Sequence, residues 1–404
     1  PVGVVRPCAV LGMFLLIVRL PARTDAEPPR GWLARLRRIG FNSLRTFHPL
    51  HFLKTCGAMR LDLALLAIAL IALPWYAWVS LRSEGEWTLG FFFEHNFGRA
   101  TTAMEGHGGG FYYYPLAILA GFMPWSVFLP GALEQGARRM RSSAELHPGR
   151  LLAFCWIGVY VILFSLAKTK LPSYVTPCYP ALALLTGDLL HGLVTGRVPW
   201  PAWGRRVSLA VPIVLGIGLL IGIPLAAPRY LPGDGWLGLV GLVPLVGGVA
   251  CLVLSELGRT RQCLLAYGGM AAVMCTAMFG GVAWRVDRHQ HNDELLSAIE
   301  EHSANPHVAS YGVLEPTWVF YGGRPIHEFP LERASAAMEF LTEPEHYAIL
   351  QLHDYERLLG ELPAEVEVLA ESPYFLKKST LLLIGRRTPA AEPATREGTA
   401  SGRS

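Results

Sequence analysis

Between Phe91 and Tyr114 the chain reads FFFEHNFGRATTAMEGHGGGFYYY, a run that places Glu94, His95, Arg99, Glu105 and His107 in a glycine-rich loop with aromatic flanks. Long apolar runs lie on either side, so these titratable groups sit at a membrane surface, where charge is costly and usually serves a purpose. Arg99 suits a phosphate, because a guanidinium holds two oxygens in a planar fork. Lys168 and Lys170 precede LPSYVTPCYP at the end of another apolar run and supply point charges of the same sign. For all three, snorkelling that anchors the end of a span is the competing role. Glu94 and His95 offer one carboxylate and one imidazole. Adjacent residues on a helix point about 100° apart, so the pair either joins a further ligand on a divalent ion or serves as a capping and hydrogen-bonding pair. His107 precedes three glycines that let backbone approach a ligand closely. Tyr112, Tyr113 and Tyr114 form either an interfacial aromatic belt or a platform for a sugar or lipid phosphate.

The elements that must position these residues are membrane helices. Of 404 residues 52% are hydrophobic and 16% charged, and mean hydropathy is positive, the profile of a polytopic membrane protein. Apolar runs near 5–20, 61–81, 113–133, 151–167, 171–192, 207–227, 236–256 and 263–284 approach the ~20 residues that cross a bilayer. Nine Arg and Lys fall between Arg19 and Arg60. Further basic loops carry Arg138, Arg139, Arg141 and Arg150, then Arg197, Arg205 and Arg206, then Arg259 and Arg261, and basic-poor loops alternate with them. The positive-inside bias makes the basic side cytoplasmic. The loop 82–112, the turn 168–170, the loop 228–235 and everything after Trp284 then lie outside. Pro172, Pro177 and Pro180 bend the start of one span, beside a groove or as a packing kink.

Residues 285–387 change character. Helical and extended segments alternate: a helix over 293–302, a strand over 308–313, a helix from Pro316, a strand over 326–329, a helix over 332–341 and a strand over 347–352. A helix near 354–359 and strands over 366–369 and 381–385 follow. This is the pattern of a small α/β domain outside the membrane. The fold class is thus a helical membrane domain over 1–284, its outer loop at 82–112, an α/β domain over 285–387 and a disordered tail over 388–404. The net charge of +4 implies no nucleic acid or strongly acidic partner. The seven cysteines show no ligand or disulfide spacing and read as buried hydrophobes. No Walker loop or dinucleotide fingerprint occurs. A transferase on the outer face would therefore take its donor from the membrane, commonly as a polyprenyl phosphate.

Three stretches together resemble a known family: 72–133 (ALPWYAWVSL to FLPGAL), 164–190 (FSLAKTKLPSYVTPCYPALALLTGDLL) and the closing α/β segment. They are similar to the aminoarabinose lipid A transferases, polyprenyl-phosphate-dependent glycosyltransferases of the C-type membrane fold that are distantly related to protein O-mannosyltransferases. The resemblance covers roughly residues 61–385. It implies transfer of a sugar from a polyprenyl-phosphate donor to a lipid or protein acceptor on the outer face of the inner membrane, with inversion at the anomeric carbon. It further implies that Glu94, His95 and Arg99 face the donor phosphate and, in some relatives, a divalent metal, and that Lys168 and Lys170 occupy the family's lysine-containing turn. The family's general base, a carboxylate in an earlier outer loop, is expected upstream of Pro1, and the sequence reads as a fragment without it. A transporter or flippase for lipid-linked saccharide and a non-catalytic lipid-phosphate-binding membrane protein are the competing functions. The first predicts mid-span charge and an inverted repeat, and neither pattern is visible.

Overall fold

The structure is a computed structural model that describes residues 2–20, 41, 44–93, 109–142, 147–290, 292–375, 377 and 379–386. Helix α1 (Val2–Val18) is followed by α2 (Pro49–Ala58) and α3 (Leu61–Arg82). Then come α4 (Tyr113–Gly121), α5 (Leu129–Ser142), α6 (Pro148–Leu166) and α7 (Tyr179–Val194). The last three long helices are α8 (Ala202–Tyr230), α9 (Gly235–Glu256) and α10 (Thr260–Asp287). Among the described residues, five helices are long and apolar enough to cross a membrane, or six if the bent pair at 113–140 is one span. Helix α3 buries none of its residues although it is strongly apolar. A helix hydrophobic all round and uncovered by protein requires lipid as its solvent.

The run expected as one span at 113–133 is broken in two. Helix α4 has nine residues and rises only about 14 Å. The chain then bends by 118° into a helical segment that runs to Met140. Beyond the bend α5 is amphipathic: Leu129 and Ala132 are buried, while Arg138 and Glu134 are exposed. Hydrophobicity reported an apolar run of the right length but not its direction. In the run expected as a span at 171–192, Pro172 and Pro180 act as helix starters while Pro177 lies inside a 3-10 segment. Pro172 opens a 3-10 segment, Pro172–Cys178, and Pro180 lies in the first turn of α7, where its missing N–H costs nothing.

The chain divides into two compact units, one of Pro1–Val214 with Val246–Ala271, the other of Leu215–Leu245 with Ala272–Ser404. In the first, α1 packs on α6, and α7 packs on α5 and α6. One end of this unit is rich in arginine: Asp188 binds Arg150 at 3.1 Å and Arg139 at 3.3 Å, and Glu256 binds Arg206 at 3.0 Å and Arg205 at 3.5 Å. Buried cysteines 155, 178, 251 and 263 are free thiols.

The second unit holds a five-stranded sheet. Its strands are β1 (His307–Tyr311), β2 (Ile326–Phe329), β3 (His346–Gln351), β4 (Val366–Pro373) and β5 (Thr380–Arg386). Their order is β2-β1-β3-β5-β4, with β2, β1 and β3 parallel and β5 antiparallel to both neighbours. Four helices cover it: α11 (Asn292–His302), α12 (Pro316–Gly322), α13 (Ala334–Phe340) and α14 (Leu352–Leu358). Alternate residues face opposite sides of a strand. Tyr347, Ile349, Leu381 and Leu383 accordingly pack with Leu295, Ile299 and Trp318. Ala348, Leu350, Leu382 and Ile384 pack with Met338, Leu341 and Leu358 on the other face. Both faces are covered, which is why these strands read as unbroken apolar runs.

Candidate functional site

Glu94, His95, Arg99, Glu105 and His107 lie outside the described residues, so the loop is seen by its two ends. At the entry, Trp87 stacks on Phe91 with ring centres 4.9 Å apart, Tyr76 lies 5.4 Å from Phe92, and Trp75 meets Trp87 edge-on at 5.2 Å. This aromatic cluster binds the end of α3 to the segment that leads into the loop. At the exit stands Gly109. A Cβ there would come within 3.0 Å of the Tyr113 ring and 3.2 Å of Lys170 Cγ. The end of the outer loop therefore closes onto the lysine-containing turn, and two stretches some sixty residues apart in sequence are brought together.

Lys170 is 3% exposed. Its ammonium donates to the carbonyls of Phe164 at 3.0 Å, Ser165 at 2.7 Å and Ala167 at 2.5 Å. These are orphan acceptors at the C-terminal end of α6, where the helix dipole also favours a cation. The Tyr114 ring, fully buried, lies 5.6 Å from the ammonium. Burial lowers the Lys170 pKa from its ordinary value, as desolvation of a cation must. All three N–H donors of Lys170 are occupied by backbone, so a phosphate there would have to displace a carbonyl. Lys168 is the opposite case. It is exposed and makes no ion pair among the described residues. Tyr112 is 58% exposed and Tyr113 half-buried.

Arg6 escaped the sequence reading as a site residue. It projects from α1, with its guanidinium 4.7 Å from the Phe164 ring and 5.9 Å from Tyr160. Its Nε is buried with no hydrogen-bond partner among the described residues. The Phe164 ring also meets Tyr174 of the Pro172–Cys178 segment, tilted, at 4.7 Å, and its carbonyl is one of those that hold Lys170. Arg6 and Lys170 thus flank one aromatic residue. The available signal was an arginine inside an apolar helical run, a position that is costly unless protein or a ligand answers it. Chemically, the arrangement offers a half-buried guanidinium with unused donor capacity beside the Tyr160 ring and an exposed ammonium at Lys168. Those groups suit an anionic headgroup carrying a sugar. No group of three or more metal-ligating side chains occurs among the described residues.

No family model matches the chain. It is 34% identical over 202 residues to the undecaprenyl phosphate-alpha-4-amino-4-deoxy-L-arabinose arabinosyl transferase of Pectobacterium carotovorum subsp. carotovorum, which is 48% of this chain and 34% of that protein. It is 32% identical over 175 residues to arabinosyl transferase 2 of Proteus mirabilis, 42% of this chain and 30% of that one. The chain thus matches about a third of the length of these curated relatives. The crystal structure of ArnT from Cupriavidus metallidurans bound to undecaprenyl phosphate matches 93% of this chain and 65% of its own, with a TM-score of 0.59 and 18% identity. The apo crystal structure of that protein matches with the same score, 95% coverage of this chain and 19% identity. Over about half its length the sequence of this chain is similar to undecaprenyl phosphate-aminoarabinose arabinosyl transferases, and over nearly all of it the fold is similar to that of the crystallised ArnT.

Proposed function

We propose that the chain binds the donor of, and acts as, a membrane glycosyltransferase that moves a sugar of the aminoarabinose class from undecaprenyl phosphate to a lipid acceptor on the outer face of the membrane. The observation that carries this reading is the 34% identity over 202 residues to a named arabinosyl transferase, joined to a shared fold with a protein crystallised with undecaprenyl phosphate. The relatives lend no support to a transporter.

In this reading Arg99 and Lys168 hold the donor phosphate, Arg6 adds a third cation, and Lys170 fixes the turn that presents Lys168. Tyr112, Tyr113 and His107 line the substrate loop. The acceptor hydroxyl oxygen bonds to the anomeric carbon as it loses its proton to a general base that we assign to none of the residues present, while the bond from that carbon to the phosphate oxygen breaks and the phosphate leaves on the lipid. Glu94 and His95 organise the phosphate directly or through a divalent ion, and insensitivity of binding and transfer to chelator would remove the ion. The 285–387 domain lies on the same outer side.

The test is binding of undecaprenyl phosphate, with undecaprenol as control, to the detergent-solubilised chain. A charge-assisted contact contributes about 1.5–3 kcal/mol, so Arg99→Ala should weaken binding by roughly tenfold to a hundredfold. Equal affinity for the phosphate and the alcohol would refute the proposal.

A further inference from the structure

A cavity lies at the arginine-rich end of the first unit, between α5, the 195–201 turn and the start of α8, with a volume of about 700 Å³. That is within the usual range for ligand clefts, roughly 300–1,000 Å³. Val127, Phe128, Leu189 and Leu193 form an apolar wall, and three arginines, Arg138, Arg139 and Arg197, line the cavity together with one carboxylate, Glu134. Trp200 packs on Phe128 at 6.0 Å, while Trp203 is 73% exposed.

The charges here are unequally answered. Arg139 is engaged by Asp188, and Arg138 by Glu134 in a pair that is largely exposed on both sides. Arg197 donates to Thr195 Oγ1 at 2.9 Å and contacts His191, and it meets no carboxylate among the described residues. Gln135 also lines the cavity and is 9% exposed, yet its Oε1 has no hydrogen-bond partner among the described residues. Buried acceptors are seldom left unsatisfied. The cavity therefore presents a cationic margin, an orphan acceptor that calls for a donor, an apolar wall, and tryptophans of the kind that sit at headgroup level.

We propose that this cavity is a binding site for an anionic glycerophospholipid of the phosphatidylglycerol type. Its phosphate meets Arg197 and Arg138, a glycerol hydroxyl donates to Gln135, and an acyl chain follows the Phe128–Leu193 wall. A phosphate alone leaves the apolar wall and Gln135 unanswered, and a zwitterionic choline lipid brings neither net charge nor a hydroxyl donor. The lining includes none of the residues assigned to the donor, and the site does not depend on the donor reading.

The test is native mass spectrometry of the full chain from micelles doped with phosphatidylglycerol or phosphatidylcholine. Phosphatidylglycerol should be retained and phosphatidylcholine lost. A basic side chain near a membrane surface contributes about 1 kcal/mol, so the double variant R138A/R197A should weaken retention by roughly 30-fold. R138K/R197K should keep most of it, and R229A, at the exposed C-terminal end of α8, should change nothing. Equal retention of the two lipids, undiminished phosphatidylglycerol in R138A/R197A with native helicity, or displacement by inorganic phosphate would each overturn the site.

Discussion

Two lysines two positions apart show how little residue type says without burial. Lys168 and Lys170 share a turn and a charge, yet one is exposed and the other spends its three donors on helix-end carbonyls. Replacing Lys170 by Met leaves those carbonyls unanswered. Such a loss costs about 1–3 kcal/mol, and thermal unfolding in detergent should show it. Lys168→Ala should shift stability by less than about 0.5 kcal/mol while weakening undecaprenyl phosphate binding. If the two variants behave alike in both assays, the division of roles between them is wrong. Arg6 teaches the complementary lesson: a charge inside an apolar run is visible in sequence, but the aromatic ring it faces is not.

At the scale of elements, close approach and clasping decide the packing. Helices α8 and α9 cross where a Cβ on Gly216 would stand 2.6 Å from the Gly241 carbonyl oxygen and 2.6 Å from the Leu245 amide nitrogen. Neither atom belongs to a flexible side chain. Small residues let membrane helices meet backbone to backbone, so Gly216→Ala should destabilise by about 1–3 kcal/mol, read as a lowered melting temperature. The α8–α9 turn is clasped in a different way. Asp234 accepts hydrogen bonds from His289 Nε2 at 2.8 Å, Arg285 Nε at 2.9 Å and Trp236 Nε1 at 2.9 Å. The bonds from His289 and Arg285 hold its carboxyl down to about 2. A depressed carboxylate pKa gives stabilisation that is complete above the unfolded value and lost as pH falls through the folded one. Wild type should therefore melt above Asp234→Asn at pH 5, with the gap closing between about pH 4 and pH 2. A gap that persists unchanged to pH 2 would refute the clasp.

For the whole molecule, the proposed topology is tested by sidedness. We propose, from the positive-inside bias of the arginine-rich loops, that the sheet domain faces outward. A cysteine placed at the exposed position Glu343 should then react with a membrane-impermeant maleimide in intact spheroplasts; reaction only after lysis would invert the topology.

The α/β domain was almost wholly legible in the sequence, because its strands and helices are short, regularly alternating and punctuated. The strand expected at 326–329 matches Ile326–Phe329, and the helix expected over 293–302 matches Asn292–His302 within a residue. Hydrophobicity likewise marked most of the long helices, since lipid demands an apolar surface whatever the neighbours. What one dimension could not hold was direction and partnership. The bend after Gly121 is held by distant groups: the Tyr267 hydroxyl donates to the Pro124 carbonyl at 2.7 Å and Ser208 to that of Val127 at 3.4 Å. Lys170 became a helix cap because α6 ends beside it, and Gly109 met it because the chain returns across the same end. Sequence alone determined the solvent each segment requires, since that depends on composition over about twenty residues. Only the tertiary structure decided which charges are free to meet a ligand, since burial and hydrogen bonding depend on residues far away along the chain.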